Sequence, residues 1–193
     1  MITGVGTWDA IVLAGGRSRR LGGIDKPALL VGGRSLLDTA LAACTGARVT
    51  VVVGPQRATV RDVRWTLESP PGSGPLAALA AGIAELGTVD ASGVVVVLAA
   101  DLPSVDARVV GRLLAAAEAG VDGAVVVDGT GRVQPLLAAY RRRALERALR
   151  AVHDPRNRPV RNMLDQLRLV DVVDTGAAAD IDTPDDLARW ADA

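Results

Sequence analysis

The sequence contains no phenylalanine, one tyrosine, one histidine and one cysteine in 193 residues. Each scarcity closes off a class of chemistry. A lone cysteine, Cys44, excludes an intramolecular disulfide and a cysteine-rich metal site. Lying in the apolar run Leu36–Cys44, it is expected to be a small core residue rather than a nucleophile. The lone histidine, His153, leaves no Ser-His-Asp set and, beside Asp154 in a loop, is expected to be incidental. There is no excess charge of either sign: 22 basic residues balance 22 acidic ones, so no general affinity for nucleic acid is expected. No apolar run approaches the ~20 residues of a membrane span. Met1–Gly4 lacks the charged and apolar parts of a signal peptide, and a soluble cytoplasmic chain is predicted. The length favours one domain, residues 1–193, with a sizeable core.

What is present is concentrated between Leu13 and Lys26. The apolar run Ala10–Leu13 predicts a buried strand. Directly after it, Gly15, Gly16, Gly22 and Gly23 free the backbone to turn and leave N–H groups unobstructed. Arg17, Arg19, Arg20 and Lys26 set four cations against one acid, Asp25. A strand ending in such a loop can present several N–H donors to one anion, so the stretch is suited to a polyphosphate. The alternative, an ordinary solvated basic loop, accounts less well for so much glycine and positive charge directly after a first strand. No Gly-Lys pair exists, which excludes the P-loop G-x-x-x-x-G-K-[ST], and the glycine spacing excludes G-x-G-x-x-G.

Further along, Ser35–Asp38 fits a Ser-x-x-Asp capping box opening a helix to about Cys44. Val49–Val53 predicts a buried parallel strand, Gln56–Arg61 a short helix, and Arg64–Leu67 another strand. A proline–glycine loop, Glu68–Pro75, precedes an Ala-rich helix Leu76–Ala84, with Pro75 in its first turn. Gly93–Ala100 is apolar throughout and predicts a strand covered on both faces; Ser104 is expected to cap a helix running to about Glu118. Gly123–Asp128 and Val133–Ala139 predict a hairpin around Gly129–Gly131. Helices at Arg141–Val152 and Val160–Leu167, a strand at Leu169–Val173 and a helix start at Thr183–Asp186 complete the chain. The class is α/β: a mostly parallel, Rossmann-like sheet flanked by helices, with one antiparallel segment near 123–139.

In open α/β sheets ligands bind outside the carboxyl ends of the strands. The loop from Leu13, Asp101 after Val94–Ala100, and Asp182 all lie at such ends. Mg²⁺ on a nucleotide takes one or two carboxylates plus phosphate oxygens and water, which Asp101 and Asp182 would supply. Asp101 could instead be a turn or capping residue, and Asp182 could serve the helix that follows. With almost no aromatic side chains, a bound base would be recognised by backbone and carboxylate hydrogen bonds.

The run Leu-Ala-Gly-Gly-x-Ser-x-Arg-x-Gly-Gly-x-Asp-Lys resembles the signature loop of the sugar-nucleotide-type nucleotidyltransferases. Among them it is most similar to the molybdenum cofactor guanylyltransferases. The resemblance extends through Gly74–Ala77, Gln134-Pro135, Arg158–Leu164, Asp180–Pro184 and Leu187–Trp190. It implies transfer of GMP from GTP to molybdopterin, with Mg²⁺ as cofactor and with cofactor-delivering or acceptor proteins as partners. It places Leu13, Ala14, Gly15, Gly16, Lys26, Glu68 and Asp101 on the nucleotide, and Lys26, Arg19 and Asp101 in catalysis. The metal ligands would be Asp101 and Asp182. The pterin substrate would meet Arg19, Gln134, Arg156, Arg158 and Arg161. Two positions depart from the family pattern: Ser69 stands where a second acid is common, and Gly54 where Asn is frequent. Rival expectations are a cytidylyltransferase acting on the same cofactor, a guanylyltransferase for phospholactate-type substrates, and a catalytically silent nucleotide-binding protein. Intact Lys26 and Asp101 argue against the last.

Overall fold

Alternating β-branched runs and amphipathic helices give the architecture. A computed structural model describes residues 6–15, 23–87, 93–117, 120–181, 186 and 190. The chain runs β1 (Trp8–Leu13), β2 (Leu30–Val31), β3 (Arg34–Ser35), α1 (Leu36–Ala43), β4 (Thr50–Val53) and β5 (Arg64–Thr66). It continues with α2 (Pro75–Glu85), β6 (Val94–Ala99), α3 (Ala107–Ala116), β7 (Gly123–Val127), β8 (Val133–Arg141), α4 (Arg142–Ala151) and β9 (Leu169–Val173). Short 3₁₀ turns occupy Lys26–Ala28 and Val160–Gln166.

Seven strands form one sheet in the order β5-β4-β1-β6-β8-β7-β9, and β2 pairs with β3 in a small hairpin. Because side chains alternate across a strand, neighbouring residues of the central strands feed two different cores. Ala10, Val12, Val52, Val96 and Leu98 pack with α1 and α3 on one face. Ile11, Leu13, Val51, Val53, Val95 and Val97 pack with α2 and α4 on the other. That double covering explains why these strands are apolar throughout.

The antiparallel segment expected near 123–139 is present as the β7–β8 hairpin; within it β8 is the reversed strand, antiparallel to both β6 and β7, while β7 pairs in parallel with β9. Two other sequence expectations are corrected. Residues 56–61 form no helix, because their polar groups bond locally and across the chain instead. Thr59 Oγ1 donates to the Arg61 carbonyl (2.8 Å), and the Val60 amide donates to Asp38 Oδ1 (3.0 Å), which is competition of the kind that keeps such segments irregular. The cap of α3 is Asp106, not Ser104: its carboxylate accepts from the amides of Arg108 (2.9 Å) and Val109 (3.0 Å). The Ser35 box holds, with Ser35 Oγ accepting from the Asp38 amide at 3.0 Å. The helix start at Thr183–Asp185 lies outside the described residues.

Candidate functional site

The chain leaves β1 for β4 and β5 on one side and returns to β6 on the other, so the order reverses between β1 and β6. Such a switch point opens a crevice at the carboxyl ends of the strands. Register sets what meets there. Leu13 is paired with Ala99, and the Ala100 amide donates to the Leu13 carbonyl at 3.0 Å. Ala14 and Gly15 therefore emerge level with Ala100 and Asp101. On the β4 side the Ala14 amide donates to Val53 (2.8 Å). Gly54 lies so close that a Cβ there would stand 2.6 Å from the Ala14 carbonyl oxygen, at φ +155°. This backbone has no room for a side chain at position 54.

The 3₁₀ turn Lys26–Ala28, with Pro27 buried, brings the loop's last cation back over this crevice. Lys26 Nζ lies 3.8 Å from Asp101 Oδ2, the side chains being 13% and 30% exposed. The Ile181 amide donates to the Asp101 carbonyl at 3.3 Å and Ile181 is fully buried, which draws the chain just before Asp182 to the same strand end. Asp182, Gly16 and Arg19 lie outside the described residues. Among the described residues no three His, Cys, Asp or Glu side chains cluster as a metal cage. A nucleotide-bound Mg²⁺ needs only one or two carboxylates, and Asp101 fits that demand.

A cleft of about 700 Å³ opens in front of these groups, within the range of small-molecule sites. Leu13, Gly15, Lys26 and Asp101 line one part of it, and Glu68, Gly72 and Pro75 another. Glu68 is buried, and its Oε1 accepts from the Gly72 amide at 2.8 Å. It thus shapes its own loop while retaining acceptor capacity on a two-oxygen carboxylate. Leu136 reaches the cleft from a bulge in β8. Val125 pairs with Ala138 but Val126 with Gln134, so the strand bows out at Pro135, a residue with no N–H for the ladder. Tyr140 Oη donates to the Pro135 carbonyl (2.8 Å) and pins the bow.

The residues expected on the pterin side are more dispersed. Gln134 Nε2 donates to Asp128 Oδ2 (2.7 Å). Asp128 also accepts from Thr130 and Arg132, and these hydrogen bonds, those from Thr130 first, hold its carboxyl down at about 2. Arg156 forks onto Asp154 (both contacts 2.9 Å) and borders a separate groove along α2 with Ala77, Ala80 and Ala84. Arg158 and Arg161 are exposed. The loop carrying Arg156 and Arg158 is nonetheless tied to the cleft, since the Asn157 amide donates to the Ser73 carbonyl.

Sequence reasoning missed Arg57. Its Nε lies 2.8 Å from Asp25 Oδ2, its Nη2 lies 2.6 Å from Oδ1, and its Nη1 donates to the carbonyls of Ala14 (3.1 Å) and Pro55 (2.8 Å). Nothing local in the sequence joins positions 32 residues apart; the signal available was the one acid among the loop's cations, which needs a partner.

Cys44 is fully buried, and burial pushes its thiol up to about 12 against a smaller opposing effect of Arg61, which fits a core residue. His153 is exposed and does not line the cleft. His153→Ala is therefore expected to retain most of the wild-type turnover from about pH 6 to 8, the range in which an imidazole base would show itself. Rate–pH profiles of both proteins test this; a large loss without loss of thermal stability would make the histidine part of the reaction.

Comparison with known proteins agrees with this geometry. The chain is 29% identical over 194 residues to a molybdenum cofactor guanylyltransferase of Mesorhizobium japonicum, covering 94% of this chain and 93% of the relative. It is 37% identical over 143 residues to a probable molybdenum cofactor guanylyltransferase of Opitutus terrae, covering 72% and 69%. The crystal structure of molybdopterin-guanine dinucleotide biosynthesis protein A from Archaeoglobus fulgidus superposes with a TM-score of 0.68 at 26% identity, covering 95% of this chain and 97% of that one. The model of the MobA-like NTP transferase domain matches residues 10–171. That match spans most of the chain, which therefore belongs to the MobA-like NTP transferase family.

Proposed function

We infer that this chain transfers GMP from GTP to the terminal phosphate of molybdopterin, giving molybdopterin guanine dinucleotide and pyrophosphate. Residues 1–193 would act as one nucleotidyltransferase domain. The observation that carries the reading is the Lys26–Asp101 pair, 3.8 Å apart at the β1/β6 switch point, lining one cleft with Leu13 and Gly15.

The chemistry follows from that placement. A phosphate monoester is anionic at neutral pH, so its oxygen attacks the α-phosphorus without a general base. An O–P bond forms as the bond to the pyrophosphate oxygen breaks, and the leaving group departs as an anion. Such a reaction needs positioning and charge stabilisation. Lys26 supports the α-phosphate oxygens, where charge must be held during displacement, and Arg19 would assist. The backbone from Leu13 to Gly16 cradles the phosphates. Mg²⁺, when bound, neutralises phosphate charge and orients the triphosphate; Asp101 would hold it, with Asp182 as a second ligand. Gln134, Arg156, Arg158 and Arg161 are proposed to meet the pterin phosphate once the substrate is seated.

Base choice is assigned to Glu68. Guanine presents N1–H and N2–H₂ donors to a carboxylate, and cytosine offers no such pair. A buried polar group left unpaired by the wrong base gives strong rejection. Glu68→Gln keeps an oxygen for the Gly72 amide and turns a charge-assisted hydrogen bond into a neutral one. It is expected to lower GTP use by at least ~1 kcal/mol and to leave CTP use, if any, little changed. Competition between GTP and CTP in both proteins measures it. A mutant with the wild-type preference would transfer base reading to the backbone of Leu13 and Ala14.

A further inference from the structure

We propose that Arg57 and Asp25 form a clamp that positions the phosphate-binding segment, with Arg57 a positioning residue rather than a ligand of the nucleotide. The proposal rests on residues 13–26 being the phosphate site, and its first test does not depend on which nucleotide is used.

Three points of the chain converge on one guanidinium: the Ala14 carbonyl just past β1, the Asp25 carboxylate directly before Lys26, and the Pro55 carbonyl just past β4. Ala14 and Asp25 bracket the glycine- and arginine-rich stretch, so both its ends are fixed to the loop after β4. Arginine carries five N–H donors; Nε and one Nη2 hydrogen serve Asp25, and both Nη1 hydrogens serve carbonyls. The fork is thus largely consumed by protein acceptors, and its side chain is 16% exposed. A cation reserved for phosphate would not be satisfied in this way. Asp25 is 51% exposed, and an isolated surface pair of that kind contributes little. Here the contact is bidentate and backed by two carbonyls, which supplies geometry rather than bulk stability. Asp25 also neutralises Arg57, while Lys26, the next residue, reaches Asp101 at the crevice. Small displacements of a positioned group can cost ~10²-fold in rate, so a rigid hold on the residue before Lys26 has a direct use.

Hydrogen exchange without nucleotide is the first test. Arg57→Ala is expected to speed exchange of peptides within 14–26 by ~10-fold, leaving the β6 peptide 94–99 at its wild-type rate. Arg57→Lys, which keeps charge and stem but not the fork, is expected to behave like Arg57→Ala and guards against an effect of misfolding. In kinetics, Arg57→Ala and Asp25→Ala are each expected to lower kcat about 10-fold, and the double variant to be no worse than the poorer single one, as for residues acting as one unit. Unchanged exchange in Arg57→Ala would overturn the clamp. So would losses that multiply in the double variant, or wild-type kinetics in Asp25→Ala beside a defective Arg57→Ala, which would put Arg57 on the nucleotide itself. Wild-type protein that fails to use GTP would defeat the functional reading instead, and the exchange result would then decide the clamp alone.

Discussion

Asp101→Ala is expected to abolish Mg²⁺-dependent transfer while leaving the protein folded and soluble. The fold should tolerate the change because the Asp101 carbonyl accepts from the Ile181 amide, and alanine keeps that bond. The lost carboxylate is part-exposed just past β6, whereas Leu98 and Ala100 before it are buried. Function is different. One substitution removes the proposed metal holder and a partner of Lys26 together, so the loss should exceed the ~10²–10³-fold typical of one preorganised electrostatic group. Isothermal titration of Mg²⁺ in the presence of a nonhydrolysable GTP analogue isolates the metal contribution. Unchanged metal affinity would move the ligand elsewhere, with Asp182 the first to be replaced.

Lys26→Ala is expected to keep the fold and lose ~10²–10³-fold in turnover. The backbone of the 3₁₀ turn is held by the Leu29 amide on the Lys26 carbonyl at 2.9 Å and by buried Pro27, neither of which needs the lysine side chain. The side chain is mostly buried beside Asp101, so its ammonium is held in place before substrate arrives rather than recruited from solvent. Single-turnover rates with saturating GTP separate loss of chemistry from loss of binding. Near-wild-type turnover in the variant would remove Lys26 from the reaction.

Much of this site was legible because its signals are local. Ile11–Leu13 and Val95–Leu98 are strands between two helical layers, and such burial leaves a continuous apolar run in the sequence. Ser35 and Asp38 make a cap within one turn, and Pro75 opens α2 where a missing N–H costs nothing. The Leu13–Lys26 motif carries its glycines and cations contiguously. What escaped depends on pairing at a distance. The parallel direction of β7 follows from its partners β8 and β9, not from its own residues, which would suit either direction. The absence of a helix at 56–61 depends on Asp38 capturing the Val60 amide from 22 residues away. Arg57 became visible only when β4 was laid beside β1 and its side chain reached Asp25.

The central claim is that the crevice between β1 and β6 joins GMP to a pterin phosphate. Its most direct measurement incubates the purified protein with Mg²⁺, molybdopterin and equal GTP and CTP, following pyrophosphate release and identifying the dinucleotide by mass. The account predicts pyrophosphate and molybdopterin guanine dinucleotide in equal amounts, with GTP consumed in preference to CTP. A cytosine dinucleotide as the main product, or no pyrophosphate from either nucleotide, would contradict it.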